Sequence, residues 1–401
     1  MRYNDFVKNL KDKIYSLMIQ NRRTHGQFQY TVPSPDSYPF QWLWDSCFHA
    51  IIYSYFDIEA GKRELTALVS KQFDDGMIPH MIYWEKGEPA DFPKIQWGKE
   101  DTSTITQPPM LAYAVWRIYL EDADKMFLES IYPHLKKFYL YLINKRDPRQ
   151  HHLIGIINPD ESGEDNSPRF DICLSLDPLH SMDENFQKRL DLVSQNKNCN
   201  FEIKTCMRNF FWIKDVPFNS IMVENLDCMV EIAKVLGQTE DENFFTENAK
   251  LISDAMRRWM LEDGIFWSVY GLDYKKIKVK SWAAFAPLFA RICTKKEAEK
   301  LVNEYLLNDG FNTNYLVPTV DKLEPSFDPQ GFWRGPIWIA INWFIYKGLK
   351  NYGFDEEAKK ILDSSLALLE KSGFREQFNP TTGEGMGAKD FTWGGLVLDM
   401  T

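Results

Sequence analysis

The segment Asn158–Asp171 carries five carboxylates and one arginine within fourteen residues. Pro159, Gly163 and Pro168 interrupt it, so neither a long helix nor a central strand can run through the segment. We therefore expect a loop whose carboxylates can donate a proton, accept one or bind hydroxyl groups. Plain solvated acid on a surface loop is the alternative interpretation.

Three further segments, 41–49, 332–343 and 375–393, each combine tryptophan with acidic residues, glycine or both. This combination suits a sugar, whose apolar ring face stacks on aromatic side chains and whose hydroxyls bind polar side chains. Breaking a glycosidic bond requires one carboxylic acid to protonate the leaving oxygen. A second carboxylate across the ring must activate water or attack directly. The chain offers carboxylates for both tasks in predicted loops.

Composition excludes several classes of function. The 401 residues carry a formal net charge of -10 and no basic cluster that could bind phosphate, so we expect no nucleic-acid partner. The chain starts without the apolar core of a signal peptide and has no apolar run of membrane-spanning length. These features predict a cytoplasmic protein without a membrane partner. Because 13 tryptophans exceed the needs of a core, we expect some of them to line a cleft.

The six cysteines are scattered without the CxxC spacing of a zinc site. They are predicted to be buried thiols, and a pairing of Cys199 with Cys206 stays open. The expected partner is a small carbohydrate, and the sequence leaves the oligomeric state undetermined.

Apolar residues recur at helical spacing through most of the chain, with almost no alternation of the kind that strands show. Helices are predicted at 4–21, 43–55, 62–73, 108–119, 123–145, 217–236, 241–260, 282–292, 295–306, 335–348, 355–371 and 391–398. A Gly- and Pro-rich excursion at 74–104 and a polar insertion at about 176–214, helical at 176–198, interrupt this pattern. The prediction is an all-α fold.

About twelve helices in antiparallel pairs can stack as a solenoid or close as a toroid. No repeat of fixed period is present, which favours the toroid, and no Pro/Gly/Ser-rich linker divides residues 1–401. We therefore predict a single domain. In a toroid the loops at one end converge on a central funnel, so residues remote in sequence can surround one ligand.

Four segments resemble the signature blocks of glycoside hydrolase family 63. They are Gln41–Ala50, Glu161–Arg169, Phe332–Trp338 with Asn342 and Trp343 following, and Glu376–Gly385. The chain is similar to the branch that hydrolyses mannosylglycerate and glucosylglycerate, and the resemblance covers nearly all of it. It implies an (α/α)6 toroid of six helical hairpins with long loops at the active-site end. It also implies inversion of an α-glycosidic linkage without metal or organic cofactor.

The resemblance implies a catalytic role for two carboxyls. Asp165 would be the general acid and Glu376 the general base, with Glu384 as a rival base or a hydroxyl ligand. To hold a proton at neutral pH, Asp165 needs burial or a like charge, for which Glu161, Glu164 and Glu376 are candidates. Arg375 or Arg334 would help Glu376 stay ionised if either points inward.

Six further side chains are candidates for sugar binding. Trp42 and Trp44 are expected to stack on the sugar, and Asp45 to accept its hydroxyls. Core packing is the alternative for Trp44, and an ordinary helix-cap contact is the alternative for Gln107. The remaining two are Arg334, expected to face a sugar or a carboxylate, and Trp393, a wall beside the base or a structural residue. His80 is a weaker candidate, because a lone histidine is more often structural.

The chain departs from the family pattern beside the proposed acid. Asp160 stands where relatives often have an aromatic residue, Glu164 replaces a neutral residue, and Gln377 stands where a tyrosine is expected. These changes leave the reaction type in place but put the leaving group in question. An extra acid beside Asp165 would repel a glycerate carboxylate unless Arg169, Arg334 or a lysine within 94–99 offsets it.

Three functions fit these observations. The first is an inverting α-glycosidase acting on glucosylglycerate, mannosylglycerate or a short α-glucoside. The second, a sugar 2-epimerase on the same toroid, needs converging histidines, and among seven histidines only His49 lies in the strongest blocks. The third, a non-catalytic sugar-binding protein, is disfavoured because both candidate carboxylates are present.

Overall fold

The structure is a computed structural model that describes residues 3–84 and 95–401, and it is mostly helical. Its α-helices are α1 (Tyr3–Asn21), α2 (Leu43–Tyr53), α3 (Ile58–Val69), α4 (Leu111–Asp122), α5 (Lys125–Lys145), α6 (Asp171–Leu174), α7 (Met182–Asn198), α8 (Ile203–Asn209), α9 (Val216–Leu236), α10 (Thr239–Trp259), α11 (Ala286–Phe289), α12 (Lys295–Lys300), α13 (Ile339–Asn351) and α14 (Asp355–Ser372). Short 3-10 helices lie at Pro159–Ser162, Pro168–Phe170, Trp282–Phe285 and Thr392–Asp399, and a π-helix at Leu301–Leu306.

Short antiparallel strands form small sheets at the ends of the helices. They are β1 (Arg22–His25), β2 (Phe28–Thr31), β3 (Gln41–Trp42), β4 (Met81–Ile82), β5 (Ile213–Lys214), β6 (Leu261–Glu262), β7 (Ile265–Phe266), β8 (Val269–Tyr270), β9 (Lys275–Lys276), β10 (Arg375–Phe378) and β11 (Gly385–Lys389). The pairs are β1–β2, β3–β4, β6–β7 and β10–β11, and β8 lies between β5 and β9. With two to five residues each, these strands are too short to show the alternation that identifies a strand in a sequence.

Within the described residues, six elements form a closed inner ring. In order around the ring they are α2, α4, α9, α11, α13 and the C-terminal 3-10 helix Thr392–Asp399, which contacts α2 again. An outer layer packs on this ring: α3 on α2, α5 on α4, α10 on α9, α14 on α13 and α1 on the C-terminal 3-10 helix. The predicted all-α (α/α)6 toroid is therefore confirmed.

The inner and outer helices differ in sequence because they differ in surroundings. Every residue of α2 is buried, since the helix has ring neighbours on two sides and α3 on a third. Outer helix α10 instead buries one stripe, which includes Phe245, Ile252 and Met256, and exposes its charged face. Helix α10 therefore shows an amphipathic period that α2 lacks.

Most predicted helices are present, with shifted ends. The helix predicted at 62–73 runs over Ile58–Val69, because Asp57 caps it by accepting a hydrogen bond from the N–H of Ala60. The prediction for 282–292 was wrong in type, since one 3-10 turn and one α-turn replace a continuous helix. The predicted closure of the C-terminal segment against α1 is confirmed.

The two predicted interruptions hold different structures. Of the excursion at 74–104, residues 85–94 lie outside the described residues, and the rest contains β4. The polar insertion contains α7 and α8, and the Sγ atoms of Cys199 and Cys206 lie 2.9 Å apart there as free thiols. None of the helices described is long and apolar enough to cross a membrane.

Candidate active site

A cavity of about 390 Å³ brings together segments that are far apart in the chain. Seven of the nine predicted site residues line it: Trp42, Trp44, Asp45, Gln107, Asp165, Glu376 and Trp393. Both proposed catalytic carboxyls therefore open onto a common space. The other two, Arg334 and Glu384, do not line the cavity.

Glu376 is positioned by the β10–β11 hairpin. Its Oε2 accepts a hydrogen bond of 2.8 Å from the backbone N–H of Ala388, and its Oε1 accepts one from the hydroxyl of Tyr38. Gly387 has a φ of +65°, and a Cβ there would stand 2.1 Å from Oε2 of Glu376. The hairpin thus needs glycine at this position to admit the carboxylate.

The loop that carries Asp165 begins with a capped 3-10 turn. The side chain of Asn158 accepts a hydrogen bond of 3.0 Å from the N–H of Asp160. Gly163 ends the turn with a φ of +74°, and a Cβ there would lie 2.4 Å from the Trp44 ring. Close packing of this loop on Trp44 therefore depends on glycine.

Two buried ion pairs anchor the acidic loop to the protein interior. Arg146 donates to both oxygens of Glu161, at 2.8 and 2.6 Å, and Arg169 donates to both oxygens of Glu164, at 3.0 and 2.8 Å. Removing one partner of such a pair costs about 3–5 kcal/mol, because an uncompensated charge stays buried. The solvated-loop interpretation is wrong for these two acids, which anchor the loop.

The predicted like-charge role of Glu161 and Glu164 is therefore corrected. Each is neutralised by its own arginine and is absent from the cavity wall. Arg169 also contacts Asp215 at 3.2 Å, so it does not face a ligand carboxylate either. The acid that does approach Asp165 on the cavity wall is Asp160.

Arg334 fixes the far end of the loop and does not line the cavity. Its guanidinium donates to both oxygens of Asp171, at 2.9 and 2.8 Å, and to the carbonyl oxygen of Pro178. Asn166 accepts a hydrogen bond of 2.9 Å from the N–H of Trp333, next to Arg334. Arg334 was predicted to face a sugar or a carboxylate at the site, whereas its two-pronged donor edge binds Asp171 of the protein itself and is not open to a substrate.

Asp165 is held by an arginine that sequence reasoning missed. Nη1 of Arg189 lies 2.6 Å from Oδ2 of Asp165. The same guanidinium contacts Asp160 through Nε at 3.1 Å and Nη2 at 2.5 Å. Arg189 comes from α7, so the polar insertion supplies a residue to the cavity wall.

The two proposed catalytic carboxyls titrate near neutrality. Burial raises the pKa of Asp165 to about 6, with Arg189 lowering it and Asp160 raising it further. Burial also raises the pKa of Glu376 to about 7, against the hydrogen bonds from Tyr38 and Ala388, while Asp165 adds to the rise. Between these pKa values the pair as a whole holds one proton.

Aromatic rings form much of the remaining wall. Trp333 and Trp338 stack with ring centroids 3.8 Å apart, and both line the cavity. The Nε1–H of Trp393 donates a hydrogen bond of 2.6 Å to Asp45. Burial raises the pKa of Asp45 to about 6, and this hydrogen bond and His49 oppose the rise. Asp45 and the ring of Trp393 thus present one polar and one apolar surface to a ligand.

Gln107 lies at the cavity and also makes a contact at a helix start. Its side chain lines the cavity, and its Oε1 accepts a hydrogen bond of 3.3 Å from the N–H of Trp44 at the start of α2. His80 also lines the cavity, where its Nδ1 lies 2.6 Å from the hydroxyl of Ser103. Burial lowers the pKa of His80 to about 4, so its ring is neutral at pH 7.

The position of Glu384 does not fit the predicted alternative role as the base. It lies in the turn before β11, is exposed and does not line the cavity. Within 94–99, Lys94 lies outside the described residues, and Lys99 is exposed, with its Nζ 3.6 Å from the centre of the Phe73 ring. Lys99 is therefore engaged away from the cavity.

Sequence reasoning also missed Tyr38 and Trp338. Tyr38 lies in a proline-containing loop whose composition gives no sign of a site, and only the fold brings it to Glu376. Trp338 lies in the same block as Arg334, and the tryptophan excess was the signal that could have favoured it. The sequence signal for Arg189 was weaker. It consisted of the three-residue spacing between Phe186 and Arg189, which places both side chains on one side of a helix, and in the structure that side of α7 faces the cavity.

Comparisons with known proteins cover nearly the whole chain. A family model for the mannosylglycerate hydrolase MGH1-like glycoside hydrolase domain matches residues 38–394. Mannosylglycerate hydrolase of Thermus thermophilus is 32% identical, over 94% of this chain and 96% of that protein. Glucosylglycerate hydrolase of Mycolicibacterium hassiacum is 26% identical, over 92% of this chain and 93% of that protein.

A solved structure also matches nearly the whole chain. The crystal structure of a GH63 mannosylglycerate hydrolase from Thermus thermophilus, in complex with Tris and D-glycerate, matches with a TM-score of 0.89 at 32% identity. The match covers 98% of this chain and 99% of that one. Asp165 and Glu376 both lie inside the range matched by the family model.

Proposed function

Since the chain belongs to glycoside hydrolase family 63, in its mannosylglycerate hydrolase MGH1-like group, it is a glycoside hydrolase, and we propose that it inverts the α-linkage of a small glycoside. Candidate substrates are glucosylglycerate, mannosylglycerate and short α-glucosides. The names of the two relatives described above support this size of substrate. The cavity volume of about 390 Å³ also suits one sugar ring with a small leaving group.

The proposal assigns one step to each carboxyl. Asp165 donates its proton to the glycosidic oxygen as the bond between that oxygen and the anomeric carbon breaks. Glu376 takes a proton from a water molecule, whose oxygen bonds to the anomeric carbon from the opposite face. One water is consumed, the configuration inverts from α to β, and proton exchange with solvent restores both carboxyls.

A single observation carries this assignment. Asp165 and Glu376, which are 211 positions apart, line one cavity whose other walls include tryptophans and polar groups. The hydroxyl of Tyr38 and the N–H of Ala388 stabilise the carboxylate form of Glu376, as a base requires. When a glycosidic oxygen accepts a hydrogen bond from Asp165, that contact favours the protonated form of the acid.

The described cavity wall gives less support to an epimerase. Such an enzyme needs converging histidines as proton carriers, whereas His80 is the only histidine among the described lining residues. His49 is buried beneath the wall, where its Nε2 lies 2.7 Å from the hydroxyl of Thr392. The geometry therefore favours hydrolysis.

The proposed reaction is tested by following product configuration. We expect the protein to release reducing sugar from at least one member of a panel of small α-glucosides and α-mannosides. Proton NMR at early times should show the β-anomer before mutarotation produces the α-anomer. Initial formation of the α-anomer would contradict inversion, and no release from any panel member would contradict the proposed substrate class.

We expect kcat/KM to follow a narrow bell-shaped pH profile. Hydrolysis needs one proton on the pair, because below pH about 6 no base remains and above pH about 7 no acid remains. The maximum should therefore lie near pH 6.5, midway between these pKa values. Initial rates between pH 4.5 and 9 check this expectation, and a profile that is flat from pH 5 to pH 8 would contradict it.

A further inference from the structure

From the ion pairs of Arg189 we propose that the leaving-group side of the cavity selects a neutral polyol or sugar over a leaving group that carries a carboxylate. This inference rests on the proposed function and names the substrate class at the same site. It concerns Asp160, Arg189 and Asp165, which share one cavity wall.

The chemistry of the acid defines this side of the cavity. A proton donor must contact the oxygen of the departing group, so the side chains in contact with Asp165 lie closest to that group. Arg189 contacts Asp165 at 2.6 Å, and Asp160 contacts Arg189 at 2.5 and 3.1 Å. A leaving group therefore meets these three side chains first.

All three guanidinium nitrogens of Arg189 already contact a carboxylate of the protein. Its Nε and Nη2 form a two-pronged contact with Asp160, the arrangement with which an arginine binds a substrate carboxylate. Its Nη1 is occupied by Asp165. Asp160 thus fills, from within the protein, the place that an anionic leaving group would need.

The charge of the described wall points the same way. Among the described lining residues, Arg189 is the only lysine or arginine, and it shares the cavity with four carboxyl groups: Asp45, Asp160, Asp165 and Glu376. His80 adds no positive charge at pH 7, because burial lowers its pKa to about 4. A carboxylate placed here would meet net negative charge, whereas hydroxyl groups can bind both Asp160 and Arg189.

Asp160→Asn tests the proposal because it removes one negative charge and keeps the shape of the side chain. The substrates are matched pairs that differ only in the leaving group: α-glucosylglycerol with α-glucosylglycerate, and the corresponding α-mannosides. For the unchanged protein we expect kcat/KM to favour the glycerol glycoside by at least about tenfold, equivalent to about 1.4 kcal/mol. In D160N we expect the ratio to move toward the glycerate glycoside by at least a similar factor.

A binding measurement keeps the test independent of turnover. In the background of Glu376→Gln, affinities for both glycosides are measured by calorimetry with and without Asp160→Asn, and the same change in ratio is expected. Asp57→Asn is the matched control. Asp57 also pairs with an arginine, Arg22, at a distance of 2.9 Å, but it does not line the cavity. This substitution should leave the ratio unchanged, and thermal unfolding checks that each variant is folded.

The outcomes separate this inference from the proposed function. The inference is overturned if the unchanged protein binds and cleaves the glycerate glycoside as well as or better than the glycerol glycoside, or if D160N leaves the ratio unchanged. It is also overturned if neither glycoside binds. Failure to cleave any α-glycoside, with binding that still favours the neutral ligand, overturns the proposed hydrolysis and supports the selectivity.

Discussion

Asp165→Asn is expected to lower kcat by about 10²–10⁴-fold on glycosides with an alcohol leaving group. An amide cannot supply the proton that the departing oxygen needs. Asparagine can still accept a hydrogen bond from Arg189, which lies 2.6 Å from the carboxyl in the unchanged protein. We therefore expect the fold and the sugar affinity to persist.

A glycosyl fluoride separates the role of this acid from a structural role. Fluoride departs with little help from a proton donor, so D165N should retain much more of the original rate on the α-glycosyl fluoride than on the matched alcohol glycoside. Steady-state kinetics on both substrates measures the difference. An equal loss on the two would show that the substitution damages the site in general and would remove Asp165 as the acid.

Glu376→Gln is expected to lower kcat by a similar factor, about 10²–10⁴-fold, on all substrates. Glutamine cannot take a proton from water, so a good leaving group does not compensate. The amide can keep both contacts of the carboxylate, because its oxygen can accept from the N–H of Ala388 and its nitrogen can donate to the oxygen of Tyr38. The fold should therefore survive the change.

Glu384→Gln is the matched control, because Glu384 is an exposed glutamate of the following turn that does not line the cavity. We expect E384Q to keep its kcat within about twofold, in line with the small effects of surface substitutions. Loss of activity in E384Q together with an active E376Q would reverse the assignment of the base. Adding azide to Glu376→Ala gives a second check, since attack from the vacated side should yield a β-glycosyl azide.

Local signals in the sequence were sufficient to predict the type of most elements. Pro159, Gly163 and Pro168 disallow long regular structure through their own backbone geometry, and the structure shows only 3-10 turns there. Helices such as α9 were predicted within a residue, because Asp215, Pro217 and Gly237 mark its ends. The predicted bounds were wrong at α3, where the cap Asp57 sets the start of the helix. They were also wrong at α11, where packing in the ring leaves only a short helix.

The sequence could not show which acids of one loop face the ligand. Glu161, Glu164 and Asp165 are nearly adjacent, yet the first two bind buried arginines and the third lines the cavity. Arg169, five residues after Glu164, also contacts Asp215 from the start of α9. Which acids of the loop bind a buried arginine depends on tertiary packing, and the order of residues in the loop does not show it.

By itself the sequence determined the helical class, the loop character of the acidic segment and the presence of acids and tryptophans suited to a sugar. Those features depend on backbone preferences and composition within a few residues. Only the tertiary structure decided that Arg334 binds Asp171, that Glu384 faces solvent and that Tyr38 and Arg189 contact Glu376 and Asp165. These contacts join positions 24 to 338 residues apart, so they form only when the tertiary structure brings separate segments of the chain together.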